Sequence, residues 1–339
     1  MADAAVTTQA VAGPRPGAVR RVLCVRVHPG DVTTGPGLAT GDTHVVVACP
    51  PGLDVRRTVG RLRRGPGDPT WATTPGAVWH ATRRGPGAAT LRLCPVPGGV
   101  RADAWGPGAS AVLTEAPALL GLLDDPTGFA AGLHPVVARA HRTHAGVRLA
   151  RSGDVWSTVV TAVLEQRVVG VDAQASWRRL VARHGSPAPG PAPAGLRVAP
   201  PPAVWRTLPV WEWRRAGVDA QRSDTVRRAA AVAHAMRADL DPPELARRLR
   251  TVPGIGPWTT AEVTSRALGD PDAVPVGDAH LPHLVGWALT GRRVDDAGML
   301  HLLAPWQGHR QRVLVLLQLA HLGRMPAYGP RGPRALPMR

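Results

Sequence analysis

The sequence predicts a small α+β domain followed by a mostly α-helical body. Short apolar runs bounded by Gly, Pro or Asp crowd the first hundred residues. After Gly108 the apolar residues recur instead at helical spacing. With 339 residues, 44% of them hydrophobic, the chain is long enough for two or three domains with their own cores.

The elements follow in order. Residues 1–17 read as a flexible tail, and residues 18–108 as the α+β domain on an antiparallel sheet. Its strand-like runs are RRVLCVRV, HVVVACP, AVWHATRR, ATLRLCPV and GVRADAW. Between the second and third lies LDVRRTVGRLRR, whose Val55, Val59 and Leu62 share one helical face. Residues 109–323 form the helical part, beginning with SAVLTEAPALLGLLD, GFAAGLHPVVARAHRTH, DVWSTVVTAVLEQRVV and VDAQASWRRLVARHG, with Asp and Ser at N-cap positions. A Pro-rich loop interrupts at 186–203, and helical texture then resumes. Residues 324–339 are a basic Pro/Gly-rich tail.

Charge narrows the partners. Lys+Arg of 41 against Asp+Glu of 24 gives a formal +17 and favours a polyanion, most simply nucleic acid. Every one of those basic residues is Arg, and an Arg-, Ala-, Gly- and Pro-rich composition makes part of the excess a matter of codon usage. The absence of Lys excludes lysine Schiff-base chemistry and a Walker-type P-loop. Cys24, Cys49 and Cys94 are dispersed, with no C-x-x-C pair, which argues against disulfide frameworks and Cys-rich metal sites. The 13 His form no compact metal motif, so His280 and His283 are not read as ligands. The N-terminal segment lacks an apolar core of the signal-peptide kind, and the run Val313–Leu319 is too short to span a bilayer, so a cytoplasmic, nucleoid-associated protein is expected.

The sharpest signal is LRTVPGIGPWT, residues 249–259. One helix runs into a Pro-Gly-x-Gly turn, and a second begins at Pro257. Gly254 and Gly256, flanking Ile255, let backbone approach a phosphate, and the second helix offers its N-terminal amides. The whole helix-hairpin-helix occupies 242–268. A Gly/Asp/Pro loop follows, ending in VPVGD with Asp278 just before another helix. In isolation such an Asp is an N-cap.

The order hairpin, helix, VPVGD, helix resembles the helix-hairpin-helix, Gly/Pro-rich, Asp superfamily of DNA glycosylases, and within it the AlkA type (DNA-3-methyladenine glycosylase II). The resemblance spans roughly residues 18–322, with weaker collinear echoes in TEAPALLGLLDDPTGF, GVRLARSGDVW, AVLEQRV and PWQGHRQRVLVLL. It implies an α+β domain followed by two helical lobes with the active site in the cleft between them. Its partner would be double-stranded DNA containing a damaged base, bound by a monomer without a resident cofactor; a monovalent cation at the hairpin is usual in relatives.

The resemblance also assigns roles. Asp278 would be the catalytic carboxylate, stabilising an oxocarbenium-like sugar and orienting water. Trp258 stands beside the extruded base, at the hairpin position where bifunctional relatives carry the lysine that attacks C1′; with no lysine here, a monofunctional enzyme is implied. Glu262 departs from the pattern, replacing a pocket aromatic: it either accepts a hydrogen bond from a purine amine or is solvated. Glu165 raises the same question. Gln166 matches a glutamine near the DNA gap, or is an ordinary helix-surface residue. Leu149 aligns with the apolar wedge that fills the hole left by a flipped base, or is core. Arg310 and Arg312 are candidate phosphate contacts. The function implied is excision of alkylated purines in base-excision repair. Two alternatives stay open, a glycosylase for oxidised or deaminated bases and a non-catalytic DNA-binding protein.

Overall fold

The computed structural model describes residues 6–12, 19–25, 43–85 and 87–321. Seven strands form one antiparallel sheet: β1 (Val6–Ala12), β2 (Val19–Val25), β3 (Thr43–Ala48), β4 (Trp71–Thr74), β5 (Ala77–Arg84), β6 (Gly87–Val96) and β7 (Gly99–Trp105), in the order β1-β2-β3-β7-β6-β5-β4. Two of its hairpins turn on Pro-Gly pairs. Thr74 faces Ala77 across Pro75-Gly76, and Val96 faces Gly99 across Pro97-Gly98. Proline presets the first turn dihedral, and the glycines take the positive φ that the second demands, +76° and +75°.

Two strands depart from the sequence expectation. Val6–Ala12 lies inside the segment read as a flexible tail, yet pairs along its length with β2; β-branched Val6, Thr7 and Thr8 suit a strand. The short β4 went unread because WATT is only four residues long. The rest of the N-terminal tail and the basic tail 324–339 lie outside the described residues.

One face of the sheet buries Val47, Leu91, Leu93 and Val100 against α1 (Val55–Gly60) and α2 (Ala109–Leu119), which contributes Val112, Leu113, Ala116 and Leu119. The chain then forms α3 (Pro135–Thr143) and crosses into α4 (Val155–Leu164) and α5 (Gly170–His184). The Pro-rich loop contains two short paired strands, β8 (Ser186–Pro187) and β9 (Arg197–Val198). Next come α6 (Pro202–Thr207), α7 (Val210–Ala216), α8 (Ala220–Ala231), α9 (Pro242–Leu249) and α10 (Pro257–Val263). Helices α4 to α10 enclose a second cluster that includes Val159, Val163, Trp177, Trp205, Trp213, Leu245 and Leu249.

The last helices, α11 (Leu281–Thr290), α12 (Asp296–Leu303) and α13 (Arg310–His321), return to α3. Together they bury Val137, Leu284, Val285, Met299, Leu303 and Val313 in a third cluster. Residues 269–280, joining the second cluster to the third, therefore carry Asp278 past the hairpin. No helix among the described residues is long and apolar enough to cross a membrane.

Candidate active site and nucleic-acid interface

Helix α9 starts at Asp241, whose carboxylate accepts the Glu244 N–H at 2.7 Å, and it buries Leu245 and Leu249. At the turn the two glycines answer different needs. Gly254 sits at φ +97°, and a Cβ there would stand 2.2 Å from Thr225 Oγ1, so the fold itself demands glycine. Gly256 is extended (φ −98°, ψ −174°), and a Cβ would meet nothing within 4 Å. No protein atom requires its bareness. Between them, Ile255 is 5% exposed in the helical core, and its N–H donates to Val252 O at 3.0 Å. Ile255 thus anchors and closes the turn. Its amide is not free for a phosphate, which corrects the expectation that it contacts DNA.

Helix α10 opens on Pro257, and Trp258 follows half-buried against the core. The indole Nε1–H of Trp258 donates to Asp278 Oδ2 at 3.0 Å. The other carboxylate oxygen, Oδ1, accepts the N–H groups of His280 at 2.7 Å and Leu281 at 2.9 Å. Asp278 therefore caps the entry to α11 and also faces the hairpin. With three donors its carboxylate is fixed in place. It stays half-buried at the junction of the two helical clusters.

Glu165, Gln166 and Arg167 form the turn after α4. The Gln166 amide Nε2 donates to Gly254 O at 2.9 Å and to Thr259 Oγ1 at 2.8 Å, clamping this turn onto the hairpin. It is neither an idle surface residue nor free to probe a gap with that nitrogen. Arg167, which the motif reading passed over, is exposed and adopts φ +54°, alone in positive φ among the non-glycine residues described. A left-handed arginine costs about 1–2 kcal/mol, and such strain concentrates at functional sites. Only its neighbour Gln166 marked this turn in the sequence.

Glu262 and Glu165 are held by arginines. Arg266 Nε donates to Glu262 Oε2 at 2.8 Å, Arg64 Nη1 donates to Glu165 Oε2 at 3.1 Å, and the same nitrogen lies 3.8 Å from Glu262 Oε2. Burial pushes the Glu262 carboxyl up, but Arg266, Arg64 and Arg61 reverse this and hold it below its ordinary value. The solvated reading of Glu262 is thereby corrected: it is a buried, paired anion one helical turn beyond Trp258.

Three further candidates are engaged within the fold. Leu149 is 4% exposed, packed with Val147 and Val315, so it is core and not a DNA wedge. Arg312 is 5% exposed, its guanidinium gripping Asp124 through two bonds of 2.8 and 2.6 Å, which leaves it unsuited to phosphate contact. Arg310 is likewise tied to Asp272, at 2.8 and 2.5 Å. Arg310 and Arg312 open a helix of mixed pattern, and Leu149 sits in a loop between α3 and α4; in neither does sequence alone tell buried from exposed. Among the described residues, no group of His, Cys, Asp or Glu is arranged to hold a metal ion. A cavity of about 180 Å³ lies between the sheet and α4, lined by Trp71, His80, Asp154, Trp156 and Trp177; neither Trp258 nor Asp278 lines it.

No protein-family model matches the chain. Two Mycobacterium tuberculosis proteins, each described as a probable bifunctional transcriptional activator/DNA repair enzyme AlkA, are 30% identical to it over 168 residues, 48% of this chain and 34% of theirs. Among solved structures, a 3-methyladenine DNA-glycosylase from Archaeoglobus fulgidus superposes with a TM-score of 0.69 at 18% identity, over 82% of this chain and 98% of that one. The chain thus shares the fold of solved DNA glycosylases and, over about half its length, is similar in sequence to proteins described as AlkA. A Clostridium acetobutylicum 8-oxoguanine glycosylase/lyase superposes as well, with a TM-score of 0.63 at 10% identity over 82% and 96% of the two chains. The match to the mycobacterial proteins spans about a third of their length, and at these identities the solved structures establish fold alone.

Proposed function

We propose that the chain is a monofunctional DNA glycosylase that excises alkylated purines from double-stranded DNA. One observation carries the reading: the 3.0 Å bond from the Trp258 indole to the Asp278 carboxylate, beside a hairpin whose Gly256 leaves backbone uncovered. Phosphate would meet the hairpin backbone at Gly256, a contact that positions DNA without reading its sequence. Arg167, exposed and next in the chain to the Gln166 that clamps the hairpin, is the residue we assign to the space of an extruded nucleotide, the part that buried Leu149 cannot play. A guanidinium plane stacks on neighbouring bases as it does on aromatic side chains.

The chemistry asks little of the protein because an alkylated purine is already a cationic leaving group. As the N-glycosidic bond breaks, positive charge develops on the deoxyribose. Asp278 supplies a fixed negative charge to stabilise it and an oxygen to orient or deprotonate the attacking water. The indole hydrogen bond sets the tilt of Trp258, whose π face suits a cationic base. Without lysine, no side-chain amine condenses with C1′, so water leaves an intact abasic sugar. Duplexes carrying single alkylated, oxidised or deaminated bases, incubated with protein and then with alkali, test the reading. Alkali-dependent cleavage at alkylated purines is expected; cleavage only at oxidised bases, or none, would overturn it.

A further inference from the structure

The sheet domain reaches the site through one side chain. Arg64 follows α1 in a loop held hard against the helical body. Its backbone N–H donates to Asp68 Oδ2 at 2.8 Å, while Asp68 Oδ1 accepts the Trp177 indole N–H of α5 at 2.9 Å. Glycines permit the close approach: a Cβ on Gly65, at φ +82°, would lie 2.1 Å from Gln174 Oε1, and one on Gly67 would lie 2.8 Å from Arg178 Cδ. From this loop the Arg64 guanidinium, 6% exposed, passes between two elements of the site. Glu165 immediately precedes Gln166 and Arg167. Glu262 lies one turn from Trp258.

We propose that Arg64 is a positioning residue of the glycosylase site, neutralising Glu165 and Glu262 together and so holding the Gln166–Arg167 turn in register with the helix that sets Trp258 against Asp278. The proposal rests on the glycosylase reading for its consequence in activity, but not for the coupling itself. The charged groups around the pair are Arg61, Arg64 and Asp68 from the loop after α1, Glu165 just after α4, Arg266 in the helical turn that continues α10, and Asp124 facing Arg61. With Arg64 neutral, two carboxylates share Arg266 as their nearest partner. Like charges then drive the turn and α10 apart, or one carboxylate takes a proton.

The test uses full-length Arg64→Gln, Glu165→Gln and the double variant. Single-turnover excision by Arg64→Gln is expected to fall about 10- to 100-fold at pH 8, the scale of an ångström-sized misplacement. Adding Glu165→Gln should recover most of the loss. If Arg64→Gln does not fold, the charge-balanced double variant is expected to fold and to excise at a rate close to that of Glu165→Gln. Wild-type excision rates in Arg64→Gln, or a double variant no better than the single, would overturn the proposal. The indole N–H resonance of Trp258, assigned with Trp258→Phe in ¹⁵N-tryptophan-labelled protein, reads the coupling without activity. It should move in Arg64→Gln and move back in the double variant, and an unmoved resonance would refute the link. If wild-type protein releases no base, the functional reading fails while this resonance still decides on Arg64.

Discussion

Gly256→Ala separates what the fold needs from what DNA needs. The added methyl meets no protein atom within 4 Å, and the extended backbone at Gly256 is open to any residue, so stability should change by no more than about 1 kcal/mol, the scale of an N-cap preference. A phosphate drawn against this backbone would meet that methyl. Losing one hydrogen bond to a charged group costs about 1.5–3 kcal/mol, which is about 10- to 150-fold in affinity. Because the lost contact is to uncharged backbone, the slope of log affinity against log salt should stay close to that of wild type. Gly254→Ala is the contrast. Its φ of +97° and the 2.2 Å approach to Thr225 Oγ1 predict a loss of stability exceeding the roughly 1–2 kcal/mol charged for left-handed backbone. Fluorescence anisotropy on undamaged and abasic-analogue duplexes over ~50–200 mM salt, with thermal melts, reads both. Gly256→Ala should weaken both duplexes alike. Wild-type affinity on both duplexes would refute phosphate contact at the hairpin.

Leu149→Ala should destabilise by about 2–5 kcal/mol, as a buried leucine does, without altering DNA affinity of the folded protein, whereas Arg167→Gly should relieve left-handed strain and yet weaken binding; denaturant titration beside anisotropy separates them. His80 is buried next to Arg84, and both effects hold its pKa below the ordinary 6.5, while its Nδ1–H donates to Thr70 O. The unfolded chain therefore binds the proton more readily. Stability is complete above pH 6.5 and is lost as pH falls below it, by about 1.4 kcal/mol for each unit the pKa is lowered. Melting curves of His80→Gln should show a shallower acid decline than wild type, and equal declines would remove His80 as the cause. Borohydride added during reaction on a lesion duplex should trap no covalent protein–DNA adduct, and a robust trapped band on a denaturing gel would contradict the monofunctional reading.

The sheet, the helical body and the hairpin were legible because each has its own period or punctuation. Pro-Gly pairs close two strand turns, and PGIGPW closes the hairpin. Asp278 was legible through order along the chain. Its double engagement was not, because the Trp258 indole reaches it across 20 residues and between two helical clusters. The same limit hid the fates of the charged candidates. Arg312 meets Asp124 from 188 residues away, and Arg64 meets Glu165 from 101. Pairing at such separations has no local signature, so a surface arginine and a buried one read alike. Leu149 failed for the complementary reason: an apolar residue in a short loop segment gives no period to distinguish a wedge from core. Arg167 carried no type signal at all, since its distinguishing property is a backbone angle.

Asp278→Asn tests the central claim most directly. The amide oxygen can keep the bonds from His280 and Leu281, while its NH₂ then faces the Trp258 indole N–H, donor against donor. The loss is thus one hydrogen bond, about 1 kcal/mol in stability, and the capped entry to α11 survives. Single-turnover base release from an alkylated duplex, with binding of an abasic analogue measured in parallel, should show excision reduced about 100-fold or more with binding equal to wild type or tighter. Excision within about threefold of wild type would remove Asp278 from the mechanism and, with it, the account of the site.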